Sequence, residues 1–113
     1  MKLPGAERAF VDPAKVRDYL LNPAHPVGYS KARFFSALGF TRARWPALYQ
    51  VLLDVAVNGE ATLGELTAYG QKYEVHATIM GHSEREAFLV TVWIVLSVED
   101  FPRLVTAFPG GPR

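Results

Sequence analysis

The sequence contains no cysteine, and this absence excludes three kinds of chemistry at once. A disulfide scaffold, a cysteine-ligated zinc site and catalysis by a thiol all require that side chain. The three histidines show no HExxH or similar spacing that would indicate a metal site. A glycine-rich phosphate loop and a Gly-x-Ser-x-Gly elbow are also missing. We therefore expect neither a metal nor another cofactor.

Long hydrophobic runs are scarce as well. The longest uncharged apolar run, residues 87–98, contains a serine and a threonine and is too short to span a bilayer. The first ten residues carry charges at Lys2, Glu7 and Arg8 and lack the apolar core of a signal peptide. These features predict a cytoplasmic protein that does not interact with membranes.

Net charge is small too. A formal charge of +1 at pH 7 gives no general attraction to nucleic acid or to an anionic membrane. The charges are nevertheless divided unevenly along the chain. Residues 1–46 carry eight Lys/Arg against three Asp/Glu, whereas residues 47–113 carry four against eight. Attraction of an anionic ligand would therefore depend on the N-terminal part.

The length of 113 residues, half of them hydrophobic, predicts a single domain, 1–113, with its own core. Its basic part has helical signals. Asp12 is a capping carboxylate and Pro13 suits the first helical position. With their caps included, the predicted helices run from Asp12 to Asn22, from Ser30 to Gly39 and from Thr41 to Gly59.

After residue 61 the hydrophobic period changes to two, which is typical of strands. Residues 73–80 alternate between apolar and polar side chains. The apolar run 88–96 is rich in β-branched residues and predicts a central strand covered on both faces. Weaker signals predict a first strand at 63–69 and a last strand at 104–108, with a turn at 81–86 and a frayed tail at 109–112.

Helices followed by consecutive strands predict an α+β fold, with the N-terminal helices packed on one face of a four-stranded antiparallel meander. We expect the face that carries Tyr73 and Val75 to contact the helices. The opposite face is then expected to hold His76, Thr78, Thr91, Trp93 and Thr106.

Three stretches of the sequence are distinctive. They are LLNPAHPVGYSKARFF at 20–35, YGQKYEV at 69–75 with VTVWI at 90–94, and PRLVTAFP at 102–109. Together they resemble a bacterial domain family of unknown function. Its members occur as small free-standing proteins and as C-terminal domains of adhesin-like polymorphic toxins. The resemblance covers nearly the whole chain.

The order of elements also resembles the nuclease fold shared by barnase, EndoU, some colicins and RelE-type toxins. The family's His-Pro-x-Gly-x-x-Lys-Ala stretch falls on residues 25–32, and its Pro-Arg-Leu-Val-Thr-Ala stretch falls on residues 102–107. The family pattern leads us to expect a basic residue where this chain has Tyr29. Catalytic residues vary among nucleases of this fold, so the fold alone assigns no roles.

Candidate residues in the basic part cluster before and within the second helix. His25, between two prolines, can act as a general acid or base, or its ring can simply cap a backbone group. Lys31 and Arg33 stand where positive charge opposes the helix dipole, which suits a bound anion. The alternative for both is a solvated cation on an outer face.

A second basic cluster, Arg42 and Arg44 beside Trp45, can hold phosphate and stack a base, or it can be a solvated helix start. On the strands, His76 and Thr91 are candidates for contact with a scissile phosphate, although both residue types are common in inert strands.

The last strand carries two more candidates. Thr106 lies in the family motif and is the best of the strand threonines for contact with a scissile phosphate. Arg103 can reach phosphate as a fork of donors, or it can be a solvated charge at the strand entry.

Two functional hypotheses follow. The first is a toxin of a toxin–antitoxin or polymorphic-toxin system that cleaves RNA by 2′-hydroxyl attack without a metal, with a cognate antitoxin or immunity protein encoded nearby. Its expected catalytic residues are His25, Lys31, His76 and Thr106. Its expected substrate-binding residues are Arg33, Arg42, Arg44, Thr91 and Arg103.

The second hypothesis is a non-catalytic protein-binding domain: an antitoxin, an immunity protein or an inactive toxin-like remnant. Tyr29, Trp45 and Trp93 would then anchor the interface, because aromatic residues dominate such sites. The first hypothesis requires His25, Lys31 and Thr106 to converge in one cleft, and the second does not.

Overall fold

The computed structural model of the protein describes residues 1–82 and 84–110. Its helical elements are a 3-10 turn Ala6–Arg8, α1 Pro13–Lys15 with a π-helical turn Val16–Leu20, α2 Tyr29–Ala37, a 3-10 turn Arg42–Arg44 and α3 Trp45–Asn58. Its strands are β1 Glu60–Leu66, β2 Gly70–Met80, β3 Glu86–Leu96 and β4 Pro102–Pro109. The strands form one antiparallel sheet in the order β1-β2-β3-β4, so the predicted α+β meander is confirmed.

The largest boundary difference concerns β1. This strand starts at Glu60, opposite His76, directly after α3, and not at residue 63 as predicted. It ends at Leu66 because Thr67 begins the turn to β2, where its hydroxyl accepts the Tyr69 and Gly70 backbone N–H groups. The segment predicted as strand 63–69 is therefore half strand and half turn.

Two other boundaries also differ. The third helix is preceded by a 3-10 turn, and α3 itself begins at Trp45 with Pro46 in its first turn, where proline is tolerated. At the C-terminal end, β4 extends to Pro109, and the Gly110 N–H donates to Phe88 O at 3.0 Å. The rest of the predicted frayed tail, from residue 111, and Ser83 in the predicted turn lie outside the described residues.

The core lies between the helices and one face of the sheet. Leu48 and Leu52 of α3 and Phe35 of α2 have no exposed surface, and Val75 of β2 is equally buried on the facing sheet surface. Tyr73 and Ala77 pack against the same cluster. The predicted helix-facing side of β2 is therefore confirmed.

The predicted placement of Thr91 and Trp93 on the opposite face is wrong. Thr91 pairs with Val75 and Trp93 with Tyr73, so both side chains of β3 point into the core, where each is 0% exposed. The Thr91 hydroxyl donates to Val75 O at 3.1 Å and accepts the Trp93 Nε1–H at 2.7 Å. This polar pair satisfies the indole inside an apolar layer.

The outer face of the sheet carries His76 and Thr78 as predicted, opposite Val90 and Phe88 of β3. Phe88 is 46% exposed, so the outer side of β3 is open to solvent there and is not covered as predicted. A continuous apolar run in the sequence, such as 88–96, therefore does not require that both faces of the strand be buried.

The N-terminal segment closes part of the β4 edge. Phe10 forms a parallel bridge with Arg103; its N–H donates to Pro102 O at 2.8 Å, and its carbonyl accepts the Leu104 N–H at 3.0 Å. Asp12, two residues after Phe10, caps α1 by accepting the Ala14 N–H at 2.9 Å, and the bridge therefore holds α1 beside β4.

An irregularity in β4 completes this junction. Thr106 pairs with Val92, but Leu104 pairs with Trp93, so Val105 is an extra residue in a bulge. The Val105 carbonyl accepts a hydrogen bond from Lys15 Nζ at 2.9 Å. The bulge thus joins the strand to α1 and brings Thr106 to the helical layer.

In the part of the chain that the structure describes, no helix has the length and apolar character needed to cross a membrane.

We expect Thr91→Val to lower the free energy of unfolding by about 2 kcal/mol, because the isosteric valine leaves the buried Trp93 N–H without its acceptor. Urea unfolding followed by tryptophan fluorescence measures this loss. Thr91→Ser keeps the hydroxyl and should cost only about 1 kcal/mol for the lost methyl group. A valine variant as stable as the wild type would contradict the role of this pair.

Candidate active site

A cleft of about 620 Å³ lies where α1, the loop before α2 and β4 meet. It is lined by Asp12, Ala14, Lys15, Asp18, Tyr19, His25, Lys31, Val105 and Thr106. These residues come from three separated parts of the chain, so the tertiary fold alone brings them together. Among them are two lysines, a histidine, a tyrosine and a threonine, which are the groups that can move protons and stabilise negative charge.

The π-helical turn Val16–Leu20 positions Tyr19. The Leu21 N–H donates to Val16 O at 3.0 Å, a bond that spans five residues and is typical of a π-helix. This wider turn buries Val16 and Leu20 in the core and leaves Tyr19 half-buried at the cleft. Short π-helical segments are rare and are frequent at functional sites.

Gly28 lets the following loop pack directly on this turn. A Cβ atom at position 28 would lie 2.4 Å from Tyr19 O and 3.0 Å from Tyr19 Cδ1, closer than real contacts allow. Only glycine therefore fits here, and the close approach carries His25 and the start of α2 to the tyrosine. The spacing His-Pro-x-Gly thus has a local structural reason.

His25 faces the same tyrosine. Its Nδ1 accepts the backbone N–H groups of Val27 and Gly28, each at 3.0 Å. Because both partners are donors, Nδ1 carries no proton in this arrangement, and the neutral ring keeps its proton on Nε2. The rings of His25 and Tyr19 meet edge to face with centroids 5.0 Å apart. His25 therefore caps the loop and still offers an Nε2–H donor.

Lys31, in the first turn of α2, is bonded to Tyr19. Its ammonium donates a hydrogen bond to the Tyr19 hydroxyl and lies 4.8 Å from the centre of the Tyr19 ring. This bond is the main reason why the pKa of Tyr19 is lowered from its ordinary value near 10.0. Burial opposes the lowering, while Thr106 and the charges of Lys31 and Lys15 add to it.

Thr106 completes the polar centre of the cleft. Its Oγ1 is inaccessible to solvent and has no hydrogen bond of ordinary geometry within residues 1–82 and 84–110. The hydroxyl nevertheless lies close enough to Tyr19 to favour the phenolate. The Thr106 hydroxyl is therefore a donor held beside the Tyr19 oxygen at the wall of the cleft.

Asp18 forms one wall of the cleft and is held by two arginines. It pairs with Arg17 at 3.0 Å and with Arg42 at 2.9 Å, and these hydrogen bonds lower its pKa to about 2. Because the folded pKa lies below the usual 3.8, these pairs favour folding at neutral pH, and their contribution is lost as pH falls through about 2. All three side chains are well exposed, so the energetic contribution is small.

Of the residues predicted to be catalytic, the structure brings His25, Lys31 and Thr106 into this cleft and leaves His76 outside it. His76 lies on the outer face of the sheet, where its Nε2 is 3.2 Å from Glu74 Oε1. It lines a separate hollow of about 320 Å³ with Glu60. The expected cluster of His76, Thr91 and Thr106 is therefore split among three places.

The predicted substrate-binding residues are divided as well. Thr91, one of the expected substrate-binding residues, has no exposed surface and therefore cannot contact a ligand. Arg103 makes two bonds of 2.7 Å to Glu99, and its guanidinium lies 5.0 Å from the ring centres of Phe10 and Phe101. It clamps the N-terminal segment to β4.

The remaining arginines lie on the helical layer. Arg33 and Arg42 line a groove beside α2, and Arg44 is exposed in the turn before α3. Trp45 is half-buried, with the Arg17 guanidinium 6.0 Å from its ring centre. Among the predicted interface anchors, Tyr29 is exposed, whereas the fully buried Trp93 cannot serve.

Sequence reasoning missed Tyr19 and Lys15 as site residues. On a helical wheel of residues 12–22, Tyr19 lies with Val16 and Leu20 on the apolar stripe, and Lys15 lies on the polar side. An ordinary helical wheel gives no sign of the π-helical turn that redirects Tyr19, or of the strand bulge that receives Lys15. Within residues 1–82 and 84–110, no group of three or more His, Asp or Glu residues is arranged to hold a metal ion.

The chain belongs to the family described as a domain of unknown function, DUF6883, whose model matches residues 2–111. The resemblance to a family of unknown function is thereby confirmed. No curated protein matches the chain.

A similar fold occurs in a chain of the contact-dependent growth inhibition toxin–immunity protein complex from Klebsiella pneumoniae 342. The TM-score is 0.68 over 96% of this chain and 98% of that chain, at 14% sequence identity. At this identity the likeness concerns the fold alone. The expected likeness to barnase, EndoU and RelE-type nucleases stays a prediction.

We expect Tyr19 to titrate below the ordinary tyrosine range, and Lys31→Met to raise its pKa, because the variant removes the ammonium that stabilises the phenolate. The ¹³Cζ shifts of the five tyrosines, followed by NMR against pH, report this directly. Tyr19→Phe assigns the signal.

The same shift has a consequence for stability. Since the folded pKa is lowered, the pair's extra stabilisation grows as pH rises through that pKa and is complete above about 10. An unchanged Tyr19 titration curve in Lys31→Met would show that the Lys31–Tyr19 bond does not form in solution.

Proposed function

We propose that this chain is the toxin of a bacterial toxin–antitoxin or polymorphic-toxin system and cleaves RNA without a metal ion. The single observation that supports the proposal most is the meeting of Lys31, Tyr19, His25 and Thr106 in one cleft. Cleavage by a neighbouring 2′-hydroxyl needs a base, an acid and donors for the phosphorane oxygens. The four side chains supply all of these.

The Tyr19–Lys31 pair acts as the base and the acid. In its phenolate form, favoured by Lys31, Tyr19 removes the 2′-hydroxyl proton while the 2′-oxygen forms a bond to phosphorus. The bond between phosphorus and the 5′-oxygen breaks, and the Lys31 ammonium gives a proton to that leaving oxygen. The products are a 2′,3′-cyclic phosphate and a 5′-hydroxyl end.

The hydrogen bond between Tyr19 and Lys31 allows their starting protonation states to be restored. After one turnover Tyr19 is a neutral phenol and Lys31 a neutral amine, and a proton moves from the phenol to the amine along their bond. The starting charges are then restored without another group. This direct return of the proton requires the two side chains to remain in contact. The packing of α2 against the π-helical turn keeps them together.

His25 and Thr106 stabilise the phosphorane. Nδ1 of His25 already accepts two backbone N–H groups, so His25 serves as an Nε2–H donor to a phosphate oxygen and not as the general base. The Thr106 hydroxyl, which favours the Tyr19 phenolate before the reaction, donates to a second phosphate oxygen during it.

The partner in this proposal is a cognate immunity protein or antitoxin encoded nearby. A chain of similar fold occurs in a contact-dependent growth inhibition toxin–immunity protein complex, which supports a place in such a system. Blocking the cleft is the simplest form of inhibition.

A second candidate function, partner binding without catalysis, is favoured by the edge strand β1. Leu63 and Leu66 on this strand, and Tyr69 in the following turn, are 67%, 74% and 77% exposed. An edge with exposed apolar side chains suits addition of a partner's strand. In this candidate the chain is an antitoxin, an immunity protein or an inactive toxin-like remnant, and its cleft has no catalytic role.

We expect induction of the wild-type chain in a bacterial host to stop growth, and Lys31→Met and Tyr19→Phe to restore it. Each variant removes one half of the proton-transfer pair, so RNA cleavage should fall by about a hundredfold or more. Growth curves with immunoblots of equal protein levels are the measurement. Co-induction of the neighbouring gene should also restore growth.

The matched control is Lys72→Met. Lys72 lies on the same outer face of β2 as His76 and Thr78, opposite Ile94 of β3. It does not line the cleft. This control loses the same charge but should still stop growth. Arrest by both cleft variants at wild-type strength would rule out the mechanism, whereas a stable complex with the neighbour and no arrest by the wild type would favour the second candidate.

A further inference from the structure

We propose that the groove beside α2 is a second binding site, which holds the single-stranded RNA that continues from the cleft. This inference rests on the proposed function, since it extends the path of the same substrate. The groove is about 540 Å³ and is lined by Leu21, Pro23, Ala32, Arg33, Ser36, Ala37, Phe40, Thr41 and Arg42.

The lining of the groove matches the chemistry of a single strand. Arg33 and Arg42 supply cations for phosphates, and Ser36 and Thr41 supply hydroxyl groups. Between them, the exposed side chains of Pro23 and Ala37 contribute apolar surface on which a sugar or an unpaired base can lie. The bases of a duplex are already paired and stacked, so they cannot contact this apolar surface.

Local charge supports an anionic occupant. Residues 13–53 contain six Lys/Arg and a single acidic residue, Asp18, although the whole chain is almost neutral at +1. These cations surround both the groove and the cleft: Lys15 and Lys31 line the cleft, and Arg33 and Arg42 line the groove. Asp12 and Asp18 also line the cleft, so the groove, whose charged lining residues are both arginines, attracts an acidic polymer more strongly than the cleft does.

The ion pair between Asp18 and Arg42 joins the two sites. Asp18 lines the cleft, Arg42 lines the groove, and the two side chains are 2.9 Å apart. The Asp18 carboxylate also holds Arg17, so it occupies two guanidinium groups as a phosphate would. An RNA strand that passes from the cleft to the groove crosses this point, and its phosphate competes with the carboxylate for the arginines.

The test measures binding of a fully 2′-O-methylated RNA oligonucleotide, which cannot be cleaved by 2′-hydroxyl attack, by fluorescence anisotropy across a salt series. We expect Arg33→Gln/Arg42→Gln to weaken binding about tenfold. The slope of log affinity against log salt should fall by about 1.4, which is about 0.7 for each lost phosphate contact.

Asp18→Asn should have the opposite effect and tighten binding about threefold, because it removes the competing carboxylate and frees both arginines. Lys72→Gln, on the outer face of the sheet, removes one positive charge and should leave affinity and salt slope almost unchanged. Unfolding curves for each variant separate weaker binding from loss of fold.

The outcomes distinguish this inference from the proposed function. Wild-type affinity in the double arginine variant, with active cleavage of ordinary RNA, would overturn the groove and leave the cleft intact. Groove-dependent binding without any cleavage would support the groove and overturn the catalytic proposal. If the arginine variants lost a partner protein and kept RNA, the groove would be a protein interface and the inference would be wrong.

Discussion

The contact between Lys31 and Tyr19 is the interaction on which the rest of the cleft depends. It joins the start of α2 to the π-helical turn of the preceding helix, and it forms because Gly28 allows the intervening loop to lie on the tyrosine backbone. The same loop fixes His25 through two N–H groups at Nδ1. A lysine ammonium in this position lowers the tyrosine pKa, and the proposed proton transfer is based on this effect.

The sheet supplies the other half of the site through a bulge in β4. A regular β4 would pair with β3 without an extra residue, but the bulge at Val105 turns a carbonyl toward Lys15 and brings Thr106 to the cleft. The bridge between Phe10 and Arg103 holds α1 alongside this bulge. The core pair of Thr91 and Trp93 is buried away from the cleft, and it joins β3 to β2 through the Val75 carbonyl.

The order of the elements and the helix-facing side of β2 were predictable, because strict alternation in residues 73–80 and the Asp12–Pro13 start signal reflect local physics. The sequence did not predict which side chains of β3 point into the core. A run that is apolar at nearly every position shows no alternation that would distinguish the two faces. In the site, His25, Lys31 and Thr106 could be selected as candidates from their residue types and motifs. Tyr19 could not, because the π-helical turn that places it has no signature in a helical pattern.

The most direct test of the central claim is the chemistry of the RNA ends made by the purified protein in excess EDTA. The account predicts cleavage in the chelator, upstream fragments ending in a 2′,3′-cyclic phosphate, and no cleavage when the nucleotide before the scissile bond is a 2′-deoxynucleotide. Cleavage that requires a divalent metal, or that persists on the 2′-deoxy substrate, would contradict attack by the 2′-hydroxyl and with it the assigned roles of Tyr19 and Lys31.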